Sequence, residues 1–170
     1  VPASVFSVPL WHTSPMSADL CFTPARELAR MLRAREVSAR EVMQAFLAQI
    51  ARHNPVLNAI VAKLPDEACL ELADAADRSL PGRVVGPLHG LPIAFKDHEP
   101  AAGFPWTNGS RIFRGRMATD DSVLVERLRR AGVLPIGKTN ISEFTMGSQT
   151  YNDVYGTTLN PWDTTKTAGG

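Results

Sequence analysis

The sequence has 170 residues, 44% hydrophobic and 21% charged, which is ordinary for a globular protein and enough to bury one core. Its formal net charge of +1 gives no electrostatic reason to expect nucleic acid or a membrane surface as a partner. Two cysteines are too few for a disulfide framework at this length, and no apolar run reaches the length of a membrane span. A reducing compartment fits best, so we expect a cytoplasmic protein.

The first residues differ in composition from the rest of the chain. The sequence begins with Val1, and residues 1–15 are rich in Pro and Ser but lack the charged start and apolar centre of a secretory signal. Met16 would be a natural start codon. We expect residues 1–22 to form an N-terminal tail, disordered in part, and residues 23–170 to form the structured portion.

Local signals predict three helices in the first half of the chain. Thr23-Pro24 is typical of an N-cap followed by proline at the first helical position. Ser38 and Glu41 form a capping-box pattern, which opens a second helix that we expect to end near Asn54-Pro55. A third helix begins at Pro65, and its predicted inner face consists of Ala68, Leu72, Ala75 and Ala76.

Later segments complete the predicted order of elements. Thr119 is predicted to cap a fourth helix with Asp120 and Asp121 in its first turn, and residues 140–146 to form a last brief helix. The predicted inner face of the fourth helix consists of Val123, Leu124, Leu128 and Ala131. Short apolar segments at 57–63, 91–95 and 133–137 predict strands. Strands that alternate with helices predict the α/β class, a sheet with helical cover.

Lys96 is the first candidate for chemistry, because it stands at the end of the most apolar predicted strand. Burial disfavours the charged form of a lysine, and an uncharged amine is a usable base. The alternative interpretation is that Lys96 extends to water and pairs with Asp97. Spacing alone leaves both interpretations open.

Other motifs give weaker signals. Gly132–Thr139 formally matches the phosphate-binding pattern G-x-x-x-x-G-K-[ST], but its interior is apolar and strand-like, which argues against a phosphate loop. No histidine has metal-ligand spacing with Cys, Asp or Glu, although His98 lies close to Lys96. We therefore expect no metal and no cofactor.

Three ordered blocks of the sequence resemble the amidase signature family. They are GPLHGLPIAFKD at 86–97, GVLPIGKTNISEF at 132–144 and YGTTLNPWDTTKTAGG at 155–170. The resemblance runs from about residue 23 to the last residue, so residues 23–170 look like the N-terminal portion of that family's domain. It implies a mixed sheet flanked by helices, of which this chain would hold an incomplete part.

The resemblance also implies a reaction, hydrolysis of a carboxylic amide by a Ser–cis-Ser–Lys triad. Lys96 matches the family's lysine, and Gly169 and Gly170 match the start of the glycine-rich oxyanion loop. In the family a Ser-Ser-Gly-Gly segment follows directly, and neither triad serine is matched in this sequence. We therefore expect the chain by itself to be inactive.

The same alignment places Thr145, Met146 and Gly147 where family members line the substrate pocket, although plain core packing is an alternative for Met146. The implied partner is a small-molecule amide, and a homodimer of the full-length protein is compatible with the family.

Two alternatives remain open. One is the A subunit of glutamyl-tRNA(Gln) amidotransferase, where an Asn commonly stands at the position of His98, and the other is a non-catalytic remnant of the fold.

Overall fold

The computed structural model describes residues 17–80 and 85–169. Five α-helices are described in these ranges: α1 (Ser17–Phe22), α2 (Ala25–Ala34), α3 (Ala39–Leu57), α4 (Asp66–Ser79) and α5 (Val123–Arg130). The strands are β1 (Ile60–Lys63), β2 (Pro92–Lys96), β3 (Leu134–Thr139), β4 (Tyr151–Asn152) and β5 (Gly156–Thr157). The α/β class predicted from the sequence is confirmed. No described helix is both long and apolar enough to cross a membrane.

Helix α1 lies within the stretch that the sequence pattern assigned to an N-terminal tail. Its Leu20 is 3% exposed and belongs to the main apolar core, so packed structure begins before residue 23. Residues 1–16 are outside the described part of the chain. Helix α2 has Pro24 at its N-cap position with no side-chain cap, so the predicted N-cap at Thr23 is wrong.

Helix α3 begins with the predicted capping box. The Ser38 side chain accepts a hydrogen bond from the Glu41 amide, and the Glu41 carboxylate accepts one from the Ser38 amide in return. The helix runs past Asn54-Pro55 to Leu57, where Asn58 ends it in the left-handed conformation. Proline is tolerated there because it removes only one hydrogen bond in the last turn of a 19-residue helix.

The predicted inner faces of two helices are right only in part, since Ala76 is buried and Leu128 packs against buried apolar residues but other predicted members are exposed. In α4 the buried residues are Cys69, Ala73 and Ala76, whereas Leu72 and Ala75 are exposed. In α5 the N-cap is Ser122 rather than Thr119, and Val125 is fully buried while Val123 and Leu124 point to solvent.

The central sheet has the strand order β1-β3-β2. Strand β1 pairs with β3 antiparallel, and β2 pairs with β3 parallel, so the sheet is mixed. The crossover from β2 to β3 consists of a long loop and helix α5. Two apolar clusters flank this sheet: a larger one among α1 to α4, and a smaller one around Phe95, Phe104 and Val125.

Strand β3 excludes a phosphate-binding loop at Gly132–Thr139. Residues 134–139 form an extended strand, and no helix opens after it. Gly137 is needed for packing, because a Cβ atom there would lie 2.2 Å from the Ala62 carbonyl oxygen on β1. The glycine therefore allows the backbones of β1 and β3 to approach each other closely.

The last two strands, β4 and β5, form a hairpin that packs against the end of α3. The Asn58 amide group donates to the carbonyl oxygens of Tyr155 and Thr157, and the Thr158 hydroxyl donates to the Asn58 carbonyl at 2.6 Å. Side-chain hydrogen bonds from Asn140 and Asn152 hold the same region to the end of β3. These contacts bring the C-terminal part of the chain beside the carboxyl ends of β2 and β3.

Candidate active site

Lys96 is the last residue of β2 and lies beside Thr139, the last residue of β3. The carboxyl ends of two parallel strands therefore meet at this lysine. Lys96 is partly buried, which lies between the two interpretations that the sequence left open. Its Nζ has no hydrogen-bond or ion-pair partner among residues 17–80 and 85–169. An amine in this position is available to a group brought to the strand ends.

Asp97 does not pair with Lys96. Its carboxylate is fully buried and accepts hydrogen bonds from the Thr107 hydroxyl at 2.7 Å, from the Thr107 amide at 3.2 Å and from the Gly109 amide at 3.1 Å. The Tyr155 hydroxyl lies 3.5 Å from the same carboxylate, and burial raises the pKa of this tyrosine. The pairing of Lys96 with Asp97 in the alternative interpretation is therefore wrong, whereas the partial exposure of Lys96 agrees with a side chain that extends to water.

A β-turn joins Lys96 to the loop that follows. The Glu99 amide donates to the Lys96 carbonyl oxygen at 2.9 Å, which closes the turn over Asp97 and His98. The Glu99 carboxylate accepts from the Ser122 hydroxyl at 2.7 Å and lies 3.2 Å from His98 Nε2. The turn is therefore attached to the start of α5.

Lys138 on β3 is the residue that sequence reasoning missed. It is fully buried, and its Nζ donates a hydrogen bond to the Glu99 carbonyl oxygen. Burial lowers the pKa of this amine, while the nearby Asp97 and Glu99 carboxylates act in the opposite direction. The sequence contained a signal for it, because Lys138 directly follows the predicted apolar strand 133–137. The reasoning that singled out Lys96, a lysine at the end of an apolar strand, applies equally to Lys138.

The segment from Thr145 to Gly147 lies at a cavity rather than in a helix. The predicted helix at 140–146 is a 3₁₀ turn at Glu143–Thr145, and Phe144 and Thr145 have φ of 52° and 62°. Positive φ at a β-branched residue is rare and marks backbone strain. Met146 is 80% exposed, so plain core packing does not explain it.

The cavity beside this segment has a volume of about 400 Å³. Met146 and Gly147 line it, together with Ser142, Gln149 and Asn152, whereas Thr145 and Lys96 are not among the described residues that line it. Gly169 forms a backbone bridge with Gln149, and its carbonyl accepts from the Thr150 hydroxyl at 3.1 Å. The start of the predicted oxyanion loop therefore lies next to a cavity residue. Gly170 is outside the described residues.

No group of three or more His, Cys, Asp or Glu side chains in the described ranges could hold a metal ion. The polar side chains near Lys96 bind one another and the backbone instead. Among them, His98 Nδ1 is a buried nitrogen with no hydrogen-bond partner in the described part of the chain.

A lysine at the carboxyl ends of a parallel strand pair stands where functional sites of open α/β sheets commonly lie. The chain belongs to the Amidase family, whose sequence profile matches residues 41–170. Members of this family are amide hydrolases.

Individual relatives agree with this family. The chain is 44% identical over 154 residues to the A subunit of glutamyl-tRNA(Gln) amidotransferase from Acidothermus cellulolyticus, and the match covers 90% of the chain and 30% of that protein. Among solved structures it is similar to peptide amidase from Stenotrophomonas maltophilia, with 34% identity and a TM-score of 0.76 over 86% of the chain and 31% of that protein. It is also similar to a fatty acid amide hydrolase, with 25% identity and a TM-score of 0.85 over 92% of the chain and 28% of that protein. The chain spans about 30% of the length of the curated relatives it matches.

Proposed function

We propose that this chain carries the proton-accepting base of a cytoplasmic amide hydrolase, and that the base is Lys96. The observation that supports this most directly is the contrast between Lys96 and its neighbours. Asp97 and Glu99 are engaged in hydrogen bonds within the fold, while the Lys96 amine at the strand ends has no partner in the described part of the chain.

In the proposed reaction the Lys96 amine accepts a proton from a bridging serine. That serine takes the proton of a second serine, which attacks the amide carbonyl and forms an acyl-enzyme. Ammonia or an amine leaves, and water then releases the acid. Both serines would belong to the part of the longer relatives that this chain does not span, so we expect the 170-residue chain alone to show no turnover.

The cavity lined by Met146 and Gly147, with Gly169 bridged to its neighbour Gln149, supports roles for the other predicted site residues. Backbone amides of a loop that starts at Gly169 and Gly170 would stabilise the oxyanion. Thr145, Met146 and Gly147 would contribute to the binding of a small-molecule amide, and the exposed Met146 beside the cavity supports this role. A homodimer of the full-length protein remains a prediction.

The test uses a protein in which this chain replaces the matched segment of peptide amidase. We expect Lys96→Ala to lower kcat/KM by at least about 10³-fold because the base is lost. Lys96→Arg should be nearly as damaging, since arginine keeps its charge and cannot accept the proton. Lys63→Ala is the matched control, because Lys63 lies on β1 and bonds Asp66 at the surface.

Two results would contradict the proposal. A folded chimera in which Lys96→Ala retains the parent's rate would contradict Lys96 as the base. Lys96-dependent amide hydrolysis by the purified 170-residue chain would contradict the placement of both serines outside this chain. Circular dichroism of each variant shows whether the fold is retained, so that loss of rate is not confused with loss of structure.

A second candidate function is that of a glutaminase subunit of a tRNA-dependent amidotransferase. The 44% identity to the A subunit of glutamyl-tRNA(Gln) amidotransferase favours it. His98 after Lys96-Asp97, where Asn is expected in that enzyme, favours a stand-alone amidase. Glutamine hydrolysis, and copurification of a second subunit with a protein that extends this chain to the length of its relatives, would identify the amidotransferase.

A further inference from the structure

Lys138 is a second lysine within the site region, and the reaction proposed above does not use it. It faces Phe95 across the β2–β3 pair, one residue before Lys96 and Thr139 in the same register. Because side chains alternate along a strand, Lys138 and Lys96 lie on opposite faces of the sheet. The Lys138 side chain therefore lies on the face of the sheet that packs against the smaller apolar cluster.

Burial of this lysine is costly unless its ammonium has a specific use. The side chain is fully enclosed, whereas a methionine of similar length would fill the same space with no charge to desolvate. Its described hydrogen bond is to the Glu99 carbonyl oxygen. The carboxylates of Asp97 and Glu99 supply the nearby negative charge.

The contact with Glu99 acts on the turn that holds Lys96. Glu99 closes that turn through its amide, which donates to the Lys96 carbonyl at 2.9 Å, while its own carbonyl accepts from Lys138. The Glu99 residue thus connects the two lysines. Removal of the Lys138 donor would leave the part-buried Glu99 carbonyl without this partner at the far end of the turn.

We propose that Lys138 is a positioning residue, which fixes the Lys96–Glu99 turn through the Glu99 carbonyl and thereby holds the Lys96 amine in place. The proposal rests on the function proposed above for its catalytic consequence. Its structural part, the control of the turn, stands independently of that function.

The first experiment measures hydrogen exchange in the 170-residue chain. With Lys138→Met, we expect the Glu99 amide to lose at least about 10-fold in protection, because the turn opens more often. The Phe104 amide, which bonds the Ala101 carbonyl at 2.9 Å in the same loop, should change by less than about 3-fold. Lys63→Met is the control and should change neither amide. Equal loss at both amides, or none at Glu99, would overturn the proposal.

A measurement on the unmodified chain covers the case in which Lys138→Met does not fold. In chain labelled with ¹⁵N-lysine, Lys138 should give a slowly exchanging side-chain NH signal with NOEs to Glu99 protons. Rapid exchange of that signal, or the absence of such NOEs, would show that the contact is not formed and would overturn the proposal.

The second experiment is a double-mutant cycle in the peptide amidase chimera. Lys138→Met should lower kcat by at least about 30-fold with KM within about 2-fold, and it should add little to the loss caused by Lys96→Ala. If Lys138 had a purely structural role, Lys138→Met would reduce the folded fraction. Its fold-loss in rate would then multiply with the fold-loss caused by Lys96→Ala. If Lys96→Ala leaves kcat unchanged, the proposed function fails. If Lys96→Ala lowers kcat and Lys138→Met does not, the positioning role fails.

Discussion

At the scale of single residues, the buried carboxylate of Asp97 organises the loop after β2. It satisfies two backbone amides and one hydroxyl, which lie 10 to 12 residues further along the chain. We expect Asp97→Ala to destabilise the chain by about 3 kcal/mol, since three buried donors lose their acceptor. Urea denaturation followed by circular dichroism measures this difference in the free energy of unfolding.

The matched control for this change is Asp153→Ala. Asp153 is exposed and pairs with Arg111 at 3.2 Å, so its removal should cost less than about 0.5 kcal/mol. Equal losses in the two variants would mean that the hydrogen bonds to Asp97 contribute little to stability.

Lys138 gives a prediction about pH. Burial lowers its pKa in the folded chain below the ordinary value of 10.5, so the unfolded chain binds more protons in the interval between the two values. Stability from this group is therefore fully present above pH 10.5 and is lost as pH falls towards the lowered pKa of the folded state. Relative to Lys138→Met, the parent chain should gain stability as pH rises towards 10.5, as measured by urea denaturation at several pH values. A constant difference between the two proteins across this interval would contradict the assignment.

The two lysines show how far the sequence could predict the site. The position of Lys96 at the end of an apolar strand followed from local pattern, and the structure agrees with it. The sequence pattern could not predict that Lys138 rather than Lys96 is the enclosed lysine. Enclosure depends on the loop from 98 to 119, which folds back over one face of the sheet. That fold depends on Asp97, whose partners no local pattern reveals.

At the scale of elements, the pairing of β1 with β3 depends on Gly137. We expect Gly137→Ala to cost about 2 kcal/mol or more, because the added methyl group would meet the Ala62 carbonyl on the neighbouring strand. Thermal unfolding followed by circular dichroism checks this. Gly103→Ala is the control: its Cβ has open space, so it should cost only about 1 kcal/mol for its positive φ. A Gly137→Ala variant as stable as the control would show that β1 shifts without penalty.

The helices differ in how well the sequence predicted them. The capping box at Ser38 was confirmed because all of its groups lie within four residues. The face of α4 was predicted correctly only at Ala76, because the helix packs on α3 through the small residues Cys69, Ala73 and Ala76, which leaves Leu72 outside. The start of α5 was wrong because Asp121 bonds the distant Ala102 amide and Arg129.

At the scale of the whole molecule, one face between α1, α3 and β1 is apolar and open. It surrounds a cavity of about 640 Å³ lined by Phe22 and Val56, which are 83% and 59% exposed, and by Pro161. We expect the chain to associate as its concentration rises, since contiguous exposed apolar surface favours association. Sedimentation velocity measures this.

The double variant Phe22→Ser/Val56→Ser should reduce the association, whereas Ile112→Ser should not. Ile112 is also exposed, at 78%, but it lies in the loop after β2 and does not line the cavity. A parent chain that remains monomeric across the concentration series would contradict this prediction.

The contact between Asn58 and Thr158 has a consequence for the order of folding. The two residues are 100 positions apart, so the end of α3 packs against a β4–β5 hairpin that is synthesised much later. During synthesis, the C-terminal end of α3 and its Asn58 cap therefore lack these partners until the hairpin has emerged from the ribosome. Helices α2 to α4 can assemble earlier, whereas the strand ends around Lys96 acquire these surroundings only after the hairpin has been made.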